Sequence, residues 1–249
     1  MKYEVFVIAV GGQGKRLEDY FLATNFNKSK IFFEVNGAPI IQQLIDTGLN
    51  SGFKEIYLLV SHHQKEIRDY LKQQYPKNKE IIPVYGAVKG IKYGVPYFFD
   101  LLKNQLKERF VYSDGNILYS ADTLRRMQTV HFDKDQVVAV AVSKYDMAPT
   151  HSLFGIKGYK LVTVKARVHT NINSRRDLTK TRGVQKFCSL GLMTFDSIIF
   201  RQEYNFASCY DLDNVIEEIF DKNNRAIKVI KTRGRWFALH TKADIDKIS

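Results

Sequence analysis

An apolar run of β-type residues, Val5 to Val10, leads straight into Gly11, Gly12 and Gly14, and this junction constrains the chain more than any other stretch. Glycines tolerate positive φ and let the backbone approach a ligand closely, so successive N–H groups can converge on an anion. Arg16 follows at once and Lys30 a little later, two cations suited to a polyphosphate. The bland reading is a structural turn after a strand. The sharper one is a phosphate loop at the carboxyl end of a buried strand. It is neither of the best-known kinds. Arg16 stands where Walker A needs Ser or Thr, and Leu17 stands where the dinucleotide fingerprint needs a third glycine.

Downstream, Ser29-Lys30-Ile31-Phe32-Phe33-Glu34-Val35-Asn36-Gly37-Ala38-Pro39-Ile40-Ile41 precedes an amphipathic helix, and Gly52 to Val60 returns a strand. Together with Val10-Gly11-Gly12-Gln13-Gly14-Lys15-Arg16-Leu17, this arrangement resembles the sugar-phosphate nucleotidyltransferases, also called nucleoside-diphosphate-sugar pyrophosphorylases. Their opening reads Ala-Gly-Gly-x-Gly-x-Arg-Leu, then Pro-Lys, then Val-x-Gly-Lys-Pro-Ile. The resemblance covers nearly the full length and is stronger before residue 132 than after it.

The resemblance implies a reaction. A sugar 1-phosphate oxygen attacks the α-phosphorus of a nucleoside triphosphate in line, and pyrophosphate leaves, with no covalent protein intermediate. On that basis Gly11, Gly12, Gln13 and Gly14 hold the nucleotide, Arg16 contacts the leaving phosphates and Lys30 stabilises the attacked phosphate. Against these roles stands a solvent-exposed cation at either position, and Ser29 replaces the proline that precedes the family's lysine. A second match, Val84-Tyr85-Gly86-Ala87-Val88-Lys89-Gly90-Ile91-Lys92-Tyr93-Gly94, resembles the turn that faces the base, and implies base contacts at Gly86 and Ala87. An ordinary helix start is the alternative. Likeness to guanylyl- or thymidylyl-type members gives a weak hint of the base, and a surface polysaccharide is the implied destination of the product.

Family members bind Mg²⁺ through an aspartate in Gly-Asp and a second in Trp-x-Asp-x-Gly-Thr. Here Ser113-Asp114-Gly115-Asn116 stands at the first place, with Asn116 in the aspartate's position and Asp114 two residues away. At the second, Trp236-Phe237-Ala238-Leu239-His240-Thr241 puts Ala238 in place of the aspartate. Mg²⁺ prefers hard anionic ligands. Three outcomes stay open. Asp114 serves through a shifted loop; the triphosphate brings its own Mg²⁺ while cations substitute for the missing ligands; or the chain has become a catalytically weakened nucleotide- or nucleotide-sugar-binding protein. The family's Glu-Lys-Pro sugar motif is replaced near Val164-Lys165-Ala166-Arg167. The histidines and the two cysteines show no zinc spacing, and no Ser or Cys sits in a nucleophile elbow.

Lys and Arg outnumber Asp and Glu by 38 to 26, and the excess concentrates between Lys157 and Lys186, where Asp177 is the only acid. A solvated loop, a phosphorylated acceptor, a membrane surface or nucleic acid would each account for it. The absence of interleaved aromatics argues against nucleic acid. No apolar run is long enough to span a bilayer, no secretory signal is apparent, and two thiols in a chain of 249 residues fit a reducing cytoplasm. The expected partners are a nucleoside triphosphate and a phosphorylated small molecule; a homo-oligomer is compatible with the sequence.

Periodicity predicts strands at 4–10, 55–60, 80–84, 109–112 and 137–142, alternating with helices at 39–51, 64–74, 88–104 and 121–130, with Ser120 as an N-cap. That order implies an α/β fold, a Rossmann-like, mainly parallel sheet with helices on both faces. The resemblance makes it nucleotidyltransferase-type, GT-A-like, with about seven strands. After Pro149 the pattern predicts a hairpin around Gly158, a strand at 184–194, a helix at 213–223 starting near Asp211, short strands at 227–230 and 236–239, and a last helix capped by Thr241. One domain, 1–249, is expected, with a nucleotide-binding core at 1–145 and a small C-terminal β elaboration, 150–249, that would bind the acceptor.

Overall fold

Strand β1 (Val5–Ala9) sends alternate side chains to opposite sides of a sheet, Phe6 and Ile8 to one apolar core and Val7 to another. This two-sided burial is what a near-continuous apolar run demands. A computed structural model describes residues 2–12, 14–86, 94–144, 152–158, 160–165, 183–202, 204, 211–232 and 236–246. After β1 come α1 (Glu18–Ala23), the short strands β2 (Glu34–Val35) and β3 (Ala38–Pro39), α2 (Ile40–Asn50), β4 (Glu55–Val60), α3 (Gln64–Gln74) and β5 (Ile81–Tyr85). Then follow α4 (Val95–Leu102), β6 (Phe110–Asp114), β7 (Ile117–Tyr119), α5 (Ala121–Gln128) and β8 (Val138–Lys144). The last part holds β9 (Leu153–Lys157), β10 (Lys160–Lys165), β11 (Gln185–Phe195), α6 (Leu212–Lys222), β12 (Ile227–Lys231), β13 (Trp236–Ala238) and α7 (Lys242–Ile245).

The expected elements are present, with ends shifted by a residue or two. Ser120 caps α5 by accepting from the Thr123 N–H, Asp211 caps α6, and Thr241 with Asp244 forms a capping box on α7. The helix expected at 88–104 starts only at Val95 and ends at Leu102: Gly94 before it is an extended N-cap with ψ of 168°, and 87–93 lie outside the described residues. Residues of α2, α3 and α5 fill one core and those of α4 and α6 the other, so helices cover both faces. In the second core Phe99 meets Phe110 and Phe195 edge-on, with centroids 5.3 and 5.4 Å away.

The main sheet has nine strands, two more than expected. Strands β6, β1, β4 and β5 run parallel, and β12 runs parallel to β8. Its other half is antiparallel, because β11 returns against β6, β8 and β9. The parallel part is therefore confined to β6, β1, β4 and β5 and to the β8–β12 pair. β11 is long enough to pair with β6 through Leu192–Phe195 and with β9 through Gln185–Cys188. The β9–β10 hairpin thus carries the sheet beyond the carboxyl end of β6. A separate two-stranded sheet, β7 with β13, closes the C-terminal end.

Candidate active site

A cavity of about 460 Å³ opens at the carboxyl ends of β1, β4 and β6, the edge where ligands of doubly wound sheets bind. Gly11, Gly12 and Gly14 form part of its wall, with Arg16 and Lys30 beside them. A Cβ on Gly11 would stand 2.3 Å from the Ser61 nitrogen, so only glycine fits where the corner after β4 closes on the loop. The Ser61 hydroxyl donates to the Gly11 carbonyl at 2.7 Å, which fixes that approach. Lys30 lies along the loop: its Cε is 3.5 Å and its Nζ 3.7 Å from where a Cβ on Gly12 would be. Arg16 sits in the tight turn Lys15–Leu17, anchored by the buried Leu17.

The structure thus brings Arg16, Lys30 and three of the four loop residues together; Gln13 and Ala87 lie outside the described residues. Gly86 does not line the cavity. Its N–H donates to the Val60 carbonyl at 2.9 Å and its carbonyl accepts from Gln64 Nε2 at 2.8 Å, so it ties the end of β5 to the first turn of α3.

The two proposed metal positions behave differently. Asp114 ends β6 facing the cavity, and its Oδ1 accepts the Tyr112 hydroxyl at 2.6 Å. Asn116 also borders the cavity, yet its amide donates to the Leu239 carbonyl at 3.0 Å and meets His240 Nδ1 at 3.3 Å. That amide joins the β6–β7 turn to the segment after β13, a structural task. Ala238, where the family's second aspartate was expected, is buried in β13 opposite Ile117. Among the described residues no three His, Cys, Asp or Glu side chains are grouped to hold a metal ion.

Sequence reasoning missed Ser61, Tyr112, Asp213 and the wall role of Asp211. Asp211 was read as a helix start, which it is, but it also borders the cavity together with the buried Asp213. Burial foremost, then the Asp114 carboxylate, and more remotely Asp211 and Asp213, push the Tyr112 phenol well above its ordinary pKa. It therefore keeps its proton at neutral pH and donates a hydrogen bond to Asp114. The cavity is bipolar, with cations Arg16 and Lys30 on the β1 side and carboxylates Asp114, Asp211 and Asp213 around Tyr112. Such a site can orient a polyphosphate and balance its charge.

His62 borders the cavity, and His63 Nδ1 stands 3.3 Å from Glu66 Oε2. Of the basic segment, Lys157, Lys160, Lys165 and Lys186 are described; none lines the cavity, and Lys165 pairs with Glu217 at 3.3 Å. The rest lies outside the described residues, as does Cys209. No described helix is long and apolar enough to cross a membrane.

A family model described as Nucleotidyl transferase matches residues 5–237. The chain belongs to the nucleotidyl transferase family. Within it, the bifunctional protein GlmU of Cutibacterium acnes is 23% identical over 199 residues, 80% of this chain. The chain spans 43% of the length of that relative. Among solved structures, the inositol-1-phosphate CTP transferase from T. maritima superposes with a TM-score of 0.72 at 17% identity, covering 98% of this chain and 92% of the other. HddC from Yersinia pseudotuberculosis does so with a TM-score of 0.71 at 15% identity, covering 100% and 98%. These structural likenesses show the nucleotidyl transferase fold, and they agree with the α/β architecture expected from the glycine loop onward.

Proposed function

We propose that this chain transfers a nucleoside monophosphate from a triphosphate to a phosphorylated small molecule, a sugar 1-phosphate or similar, and releases pyrophosphate. One observation carries the reading: Lys30 lies over the Gly12–Gly14 loop in the same cavity that Asp114 borders from β6. The loop N–H groups hold the phosphates, Arg16 faces the leaving pair and Lys30 the attacked phosphate. An acceptor phosphate oxygen forms the new bond to the α-phosphorus. The bond from that phosphorus to the bridging oxygen breaks, and its electron pair leaves with pyrophosphate. Lys30 and Arg16 act by neutralising oxygens whose charge grows along this path. Relatives support the reaction class: one is a CTP transferase for inositol 1-phosphate, and HddC has been crystallised with GMP-PN.

Asp114 fits a Mg²⁺ site of the kind that takes one or two carboxylates and fills the rest with phosphates and water. Mg²⁺, when bound with the triphosphate, would supply further neutralisation of the phosphate oxygens. Asn116 can add only a neutral oxygen to it, its Nδ2 being engaged with Leu239 and His240. The missing second carboxylate, with Ala238 buried in its place, favours a second reading, a nucleotide-binding protein with weakened turnover.

Pyrophosphate release, measured over a panel of triphosphates and phosphorylated acceptors with Mg²⁺, decides between them. Release supports transfer, and binding without release supports the second reading. Failure of every triphosphate to bind removes both. Preference for sugar 1-phosphates would carry the extension to surface polysaccharide synthesis, because the product would be an activated sugar donor.

A further inference from the structure

The corner between β4 and α3 holds three ligand-side loops at once. Ser61 binds the Gly11 carbonyl, Gln64 binds the Gly86 carbonyl, and Glu66 Oε2 accepts the Ser29 N–H at 3.3 Å. The third contact bears on Lys30. Ser29 and Lys30 share a tight turn closed by Phe32 N–H to the Ser29 carbonyl at 2.9 Å and Phe33 N–H to the Lys30 carbonyl at 3.1 Å. Moving Ser29 therefore moves the base of the Lys30 side chain.

Ser29 is buried, and its hydroxyl finds no hydrogen-bond partner among the described residues. What the position contributes is its backbone N–H. Its φ of −56° is also the value a proline ring imposes. Proline would hold that angle covalently and has no N–H to satisfy. Serine leaves the angle free to vary and leaves a buried donor needing an acceptor. Glu66 meets both needs, and His63 Nδ1, 3.3 Å from the same carboxylate oxygen, steadies it from the left-handed residue that starts α3.

We propose that Glu66 is a positioning residue for nucleotidyl transfer: docked on the Ser29 N–H, it sets the Lys30 ammonium over the glycine loop. This rests on the transfer reaction proposed above. Four proteins test it: wild type, Glu66→Ala, Ser29→Ala and the double variant Ser29→Pro/Glu66→Ala. Pyrophosphate release and hydrogen exchange at the Phe32 and Phe33 amides, the latter without nucleotide, are the two readouts. Glu66→Ala lowers kcat about tenfold at unchanged acceptor KM, the cost of a misplaced charge, and speeds exchange. Ser29→Ala matches wild type, and the double variant recovers both readouts to within about twofold because the ring restores the angle. Wild-type behaviour of Glu66→Ala, or a double variant no better than Glu66→Ala, overturns the proposal. Should wild type release no pyrophosphate, the transfer reading falls, and the exchange pattern alone still decides the role of Glu66.

Discussion

Asp114 rests its carboxylate against the bare Cα of Gly191, so that a Cβ there would stand 2.4 Å from Asp114 Oδ2. Gly191 has a φ of +60° and lies where β11 passes from pairing with β9 to pairing with β6. The fork in the sheet thereby makes room for the one acidic side chain at the end of β6. Gly191→Ala should displace Asp114 and strain the left-handed backbone, at a cost of about 1 kcal/mol or more. Thermal unfolding and Mg²⁺ titration of turnover check it; an unchanged Mg²⁺ dependence would contradict the role given to this contact.

Asp114 and Asn116 should separate cleanly on substitution. Asp114→Asn is expected to reduce Mg²⁺-dependent turnover while leaving the fold nearly as stable. Asn116→Asp removes the donor to the Leu239 carbonyl and sets a carboxylate beside it, costing about 1–3 kcal/mol of stability. Parallel unfolding curves and Mg²⁺ titrations of both variants measure this. Turnover indifferent to Asp114→Asn would end the idea that this aspartate holds the metal.

Lys30→Ala should lower turnover about a hundredfold by removing one fixed charge at the reacting phosphate. Stability should change little, since the side chain lies along a cavity wall. Steady-state kinetics with saturating acceptor checks the first, and calorimetry the second. Comparable losses in Lys30→Ala and a variant of exposed Lys103 would mean that bulk charge alone matters.

Tyr57 and Tyr70 are both pushed up to about 12, by burial first and then by Glu55 and Asp46 respectively. An unfolded phenol ionises near 10. Above that pH the unfolded state binds fewer protons than the folded one, so stability falls as pH rises. The melting temperature should hold below pH 10 and drop between about 10 and 12. A Tm unchanged across that window would show that these phenols are not held neutral by the fold.

Much of the framework was readable from residue order. Alternating apolar runs located β1, β4 and β6, and helical spacing located α2, α3 and α6, because burial on two faces or one stripe leaves a period in the chain. Ser120, Asp211 and Thr241 announced their helices through capping chemistry. The antiparallel half was not readable: which strands β11 joins depends on pairing between distant segments, and no local period records it. The bond from the Asn116 Nδ2 to the Leu239 carbonyl was not readable either, since a partner 123 residues away leaves no local trace.

The sequence alone determined a glycine-rich loop with two attendant cations and the family to which they belong, because glycine spacing and charge are local properties. Only tertiary structure decided that Gly11 is required by Ser61, that Glu66 reaches Ser29, and that Asp213 joins the cavity wall. Those relationships are distances between residues far apart in the chain, set when the sheet closes and its helices pack.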